Sequence, residues 1–186
     1  MPTKEYIKIR QESIKSSAEI EAGIDVCYKL FTGKGLNKIG VESKALSVAI
    51  IFIDLNNLIS NRNMALSVNN KSNIFDRLIM AHMYEINERL KTVFGKEDWD
   101  FFESIDFVKN KELKSTFKIF NATIVGLGLT NDERNYAVHG TMDFTEHYNF
   151  RKSIGEKNLD SAIAIIRPLI IMIPNNIVGM LTMKMA

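Results

Sequence analysis

The sequence predicts an all-α protein, a bundle of four or five main helices with an irregular insert before the last, on three observations. Only three prolines and ten glycines punctuate the 186 residues, so long stretches run without a breaker. Within those stretches apolar residues recur at spacings of three and four, the period of a helix with one buried face. No segment alternates apolar and polar residues as a half-buried strand does. There is no repeat at a fixed period, and the length fits a single domain over residues 1–186.

The elements follow in chain order. A first helix is expected from about Lys4 to Phe31, with Ile7, Ile14, Ile20, Ile24, Tyr28 and Phe31 as its apolar positions. The three glycines of "TGKGLNKIG" end it; that stretch lacks the spacing and the Lys-Ser/Thr pair of a phosphate loop and reads as a connector. A second helix should begin at Glu42 or Ser43 and run through "ALSVAIIFIDLNNLIS", apolar nearly all round as a central helix is. The Asn- and Ser-rich "NRNMALSVNNKSN" reads as a loop. A third helix covers "IFDRLIMAHMYEINERLKTVFG", with Gly95 as its C-terminal cap. Then comes a short helix anchored by Trp99, Phe101, Phe102, Ile105 and Phe107, followed by a longer one from about Lys111. "TNDERNYAVHG" looks like a restart. Thr130, Asn131 or Asp132 can cap it, and acidic residues occupy its first turn. The last helix is expected from near Leu159.

Composition narrows the function classes. Apolar residues at 46% support a core and exclude wholesale disorder. A net charge of +2 argues against a large nucleic-acid footprint while leaving room for a local one. Cys27 is the single cysteine. It allows no internal disulfide and no cysteine-based zinc site, and in "IDVCYKLF" it reads as a core residue, so a reducing, cytoplasmic compartment is expected. The charged N-terminus lacks the apolar stretch of a secretory signal. The apolar segment Ala162–Met185 is interrupted by Arg167, Pro168, Pro174, Asn175 and Asn176. Its uninterrupted runs fall short of the roughly 20 residues of a spanning helix, so it reads as a core or dimer-interface helix and not as a membrane segment.

Few residues speak to chemistry. Of the three histidines, His139 and His147 flank Asp143 and Glu146, but no H-x-x-x-H or H-E-x-x-H pair is present, and neither metal nor cofactor is expected. No serine-hydrolase elbow or dinucleotide fingerprint occurs. What remains is "NDERNYAVHG", with Arg134 five positions before His139 and Asn135 directly after the arginine. The spacing alone is not distinctive, because "RLIMAH", Arg77 to His82, repeats it inside an apolar helix. The context differs. Arg134 follows a turn, is followed by a polar residue, and its partner histidine ends at Gly140. The plainer reading is a helix-surface pair, with Arg134 bound to a nearby acid such as Asp132 or Glu133.

With an Arg–polar–three residues–His–Gly pattern, "RNYAVHG" resembles the signature of the HEPN superfamily, helical domains many of which cleave RNA in toxin–antitoxin, phage-defence and RNA-processing systems. The resemblance covers about seven residues and the helical pattern. It implies a homodimer with both motifs around a shared cleft, and metal-independent attack of a ribose 2′-hydroxyl on the adjacent phosphate to leave a 2′,3′-cyclic phosphate. His139 suits proton transfer near neutral pH. Arg134 suits the phosphate and its transition-state charge. Asn135 would orient either group. Tyr136 would stack on an unpaired base or pack in the core, and Arg151 and Lys152 would draw in RNA or simply be solvated. On an ideal helix five residues rotate about 500°, which sets positions 134 and 139 about 140° apart. One phosphate served by both therefore needs an irregular helix or two chains. An antitoxin partner fits this reading. The alternatives are a non-catalytic regulatory or protein-binding module and, against the near-neutral charge, a DNA-binding regulator.

Overall fold

The breaker-free segments become helices, eight of them among the described residues where four or five main ones were expected, and no strand occurs among those residues. The computed structural model describes residues 4–33, 40–67, 74–139 and 144–185; within these spans the side chains of Phe31, His139, Glu146, His147 and Arg151 lie outside the described part, as do Gly140 and Asp143 altogether. The helices are α1 (Lys4–Gly33), α2 (Val41–Ser67), α3 (Ile74–Thr92), α4 (Lys96–Ile105), α5 (Phe107–Gly126), α6 (Asn131–His139), α7 (Phe144–Glu156) and α8 (Leu159–Met185).

The central pair is α2 and α8, with α1, α3 and α5 packed around it. Ala45, Ala49, Phe52, Leu55 and Ile59 of α2 meet Ile166, Ile170, Ile173, Ile177 and Met180 of α8 in one continuous core. Each large apolar side chain removed from water there contributes about 1.5–3 kcal/mol. That packing carries α8 through Pro168 and Pro174, although each proline removes one backbone hydrogen bond. By length and composition alone, Val41–Leu66 and Leu159–Lys184 are each long and apolar enough to cross a membrane. The length expected from the sequence was shorter, because it was counted between prolines that the helix passes through.

Several boundaries moved for identifiable reasons. In α1 the buried stripe is Ser17, Ile20, Ile24 and Cys27, whereas Ile7, Ile14 and Tyr28 are exposed; Cys27 is a core residue, as its context indicated. The Asn-rich stretch after Ser60 stays helical to Ser67. There Arg62, nearly buried, is paired with Asp76 of α3 and, at 2.8 Å, with Asp160 of α8, so tertiary contacts override weak local propensity. Gly95 does not close α3. It precedes α4, donating its N–H to Asp98 Oδ2 at 2.8 Å. Asp106 caps α5 by accepting from the Lys109 N–H at 3.0 Å, which starts that helix at Phe107 and leaves Phe107 exposed instead of anchored. The irregular insert contains a thirteen-residue helix, α7.

Candidate functional site

The motif sits on α6, a nine-residue helix whose start is built as the sequence reading allowed. Thr130 is the cap. Its Oγ1 accepts from the Glu133 N–H at 3.2 Å, and its own N–H donates to Glu133 Oε2 at 2.9 Å, a reciprocal arrangement that satisfies two backbone donors at once. Gly128, at φ +59, supplies the left-handed turn that releases the chain from α5.

Glu133 does more than close the box. Its Oε1 accepts from Ser153 Oγ of α7 at 2.7 Å and lies 3.0 Å from Lys157 Nζ. Lys157 also donates to the carbonyls of Leu127 and Gly128, both at 3.1 Å, where α5 ends. One mostly buried ion pair thus joins the end of α5, the start of α6, and α7. Burial pushes the Glu133 carboxyl upward, but the hydrogen bonds from Ser153, Thr130 and Lys157 and the Lys157 charge outweigh it, and the carboxyl ends below its ordinary range.

Arg134 faces α3. Its Nη2 pairs with Glu85 Oε1, and its Nη1 donates to Asn135 Oδ1 at 2.8 Å. The acid that holds it is therefore neither Asp132 nor Glu133 but a residue of another helix. The side chain is 29% exposed, and its Nε is buried without a hydrogen-bond partner among the described residues. Asn135, expected to orient His139 or the phosphate, spends its oxygen on Arg134. The Tyr136 ring, half-buried, packs on Phe150 with centroids 5.6 Å apart and lies against the core. Lys152 is exposed, 4.0 Å from Glu156 one turn on. The side chains of His139 and Arg151 lie outside the described residues, as do Gly140, Asp143 and the side chains of Glu146 and His147. Among the described residues no cluster of three or more His, Cys, Asp or Glu side chains offers a metal site.

Beneath the motif, Met80, Ala81 and Tyr84 of α3 close against Ala137 and Phe150 around a void of about 10 Å³, room for a water at most. Helix α6 is α-helical through to His139, so positions 134 and 139 stand about 140° apart around its axis.

His82, the histidine of the "RLIMAH" match, lies half-buried on α3. Burial lowers its pKa most, with Asp54 and Glu85 pulling it up and Arg89 down, and the net effect disfavours the charged ring. Glu85 connects the two stretches, since it carries the pair to Arg134 and contributes to the field at His82. Nothing local to either motif marks Glu85; only the packing of α3 against α6 brings it there. No protein-family model, curated protein or solved structure matches the chain.

Proposed function

We propose that this protein is a metal-independent RNA endonuclease of the HEPN type, acting as a homodimer in which Arg134 of one chain and His139 of the other serve the same phosphate. The observation that carries the reading is the setting of Arg134. Its guanidinium is pre-oriented by Glu85 and Asn135 on a separately capped helix, yet stays partly open to solvent. A guanidinium held in one orientation offers fixed donors to a phosphate at little cost in side-chain entropy. The regularity of α6 favours the two-chain arrangement over a single-chain one, because a straight helix does not turn both positions to one phosphate. Val138, within the motif on α6, and Tyr148 on α7 are large exposed side chains, suited to contact with a second copy. A role as a toxin or defence effector held by an antitoxin belongs to the same reading.

A second reading has its own observation. The Glu85 pair already occupies much of the Arg134 guanidinium, as in a structural contact that docks α6 on α3 in a non-catalytic binding module. Incubation with mixed RNA in EDTA separates the two. The nuclease cleaves, leaves 2′,3′-cyclic phosphate ends, and loses about 10²–10³-fold of its rate in Arg134→Ala and in His139→Ala. No cleavage by the wild type favours the module, and undiminished cleavage by both variants removes the site assignment.

A further inference from the structure

On α5 and α8 large exposed apolar side chains fall into two rows. Ile165, Met172 and Met183 of α8 are each at least 40% exposed. They are seven and eleven residues apart, steps that bring a helix back to nearly the same angle. Val108 and Ile119 of α5, also exposed, are eleven apart as well. The two helices pack side by side and antiparallel. Lys109, at the start of α5, brings its Nζ 3.5 Å from Met183 Sδ, near the end of α8. At the other end Lys157, just before α8, donates to the carbonyls of Leu127 and Gly128, just after α5. In that register Ile119 is level with the α8 turns between Ile165 and Met172, and Val108 is level with the last turns of α8. The rows therefore border one outer seam, roughly 27 Å long from Ile165 to Met183. A contiguous apolar face of this kind marks an interaction site, unlike single exposed side chains.

Charge says what covers the seam. On the flank of α5 away from α8, Lys111 and Lys118 are exposed and have no carboxylate partner among the described residues. Glu112, four residues after Val108 and seven before Ile119, stands in the apolar row itself. We propose that the α5–α8 seam docks an amphipathic helix of a partner protein. Its apolar stripe lies along the two rows, its acidic flank meets Lys111 and Lys118, and a basic residue meets Glu112. A second copy of this chain fits poorly. The one acidic residue of α8 is Asp160, which Arg62 already holds at 2.8 Å. A two-fold pairing therefore sets the lysines against an uncharged face or against each other. A bilayer surface would have to take up the Glu112 carboxylate with the apolar row, and RNA offers nothing apolar to cover Ile119, Ile165 and Met172. The inference does not rest on the nuclease reading, because none of these residues belongs to α6.

The probe is a fluorescein-labelled synthetic helix of about 20 residues, long enough to span the seam. It carries leucines at spacings of three and four, glutamates on one flank and one arginine beside the leucine stripe. Anisotropy titrations with the full chain should show saturable binding that weakens as salt is raised. A second peptide with lysines in place of the glutamates should bind about tenfold more weakly or worse. Changing Lys111→Glu and Lys118→Glu together should reverse that preference. Ile119→Asp should weaken the acidic peptide about tenfold or more, as loss of a central apolar contact does. These positions are exposed, and an unchanged circular dichroism spectrum checks that each variant folds. The proposal is overturned by no saturable binding, by equal binding of the two peptides, or by binding indifferent to Ile119→Asp. It is equally overturned if Ile119→Asp abolishes self-association seen in sedimentation, which assigns the seam to a second copy. Binding to phosphatidylserine vesicles that Ile119→Asp abolishes would assign it to a lipid surface and overturn it too.

Discussion

Glu133 shows how a single side chain holds the motif's helix in place. It closes the α6 cap, takes the Ser153 hydroxyl and pairs with Lys157. Its folded pKa is depressed, so the sign is that of a carboxylate stabilised in its charged form. The contribution is fully present above the unfolded value of about 4.3 and is lost as pH falls through the folded value below it. Urea melts of wild type and Glu133→Gln should differ by about 1–3 kcal/mol near neutral pH, the worth of hydrogen bonds to a charged group. The gap should narrow as the solution is acidified below the ordinary glutamate range; a pH-independent gap would show that charge is not what matters. The capping role was legible, since Thr130 and Glu133 have the spacing of a capping box. The links to Ser153 and Lys157 were not, because they join residues twenty or more positions apart that only tertiary packing brings together. Arg134 repeats the lesson. An acidic partner was foreseeable, but its two sequence neighbours were the visible candidates, and Glu85 is reached only through the α3–α6 contact.

At the scale of elements, the crossing of α1 over α8 depends on one missing side chain. A Cβ added at Gly23 would lie 2.6 Å from Val178 Cγ1, closer than two carbons can sit, and a helical valine has little rotamer freedom to yield. Gly126, also helical, has open space at the same position. Alanine is favoured over glycine in a helix by about 1 kcal/mol. Gly126→Ala should therefore raise stability by up to about that much, while Gly23→Ala should lower it by on the order of 1 kcal/mol once overpacking of about 1–3 kcal/mol is set against the gain. Val178→Ala in the Gly23→Ala background should recover part of the loss, a coupling that a double-mutant cycle in urea measures. If Gly23→Ala stabilises as Gly126→Ala does, the close approach does not exist in solution. The helices themselves were legible from periodicity and sparse breakers. What was not legible was which glycine is a contact: Gly23 carries no local signal, and Val178 is 155 positions away. The continuity of α8 was hidden for a related reason, because proline's local penalty is visible in a sequence and the core packing that offsets it is not.

For the whole molecule the question is how many chains make one site. Arg134→Ala retains His139 and His139→Ala retains Arg134, so neither homodimer holds a complete pair in any arrangement. A mixed dimer differs. If each site takes its arginine from one chain and its histidine from the other, one of the two sites in a mixed dimer is intact. Co-refolding the two inactive variants in equal amounts then makes half the dimers mixed, and activity should return to roughly a quarter of the wild-type level. A site confined to one chain gives no recovery, because every chain in the mixture carries a lesion. The same arrangement makes cleavage fall on dilution as dimers dissociate, in step with the loss of the dimer seen by light scattering. Recovery without that concentration dependence would require a dimer too tight to dilute apart, which subunit exchange between labelled chains measures independently. Absence of recovery in dimers shown by that exchange to be mixed removes the shared site and leaves Arg134 as the residue that fastens α6 to Glu85.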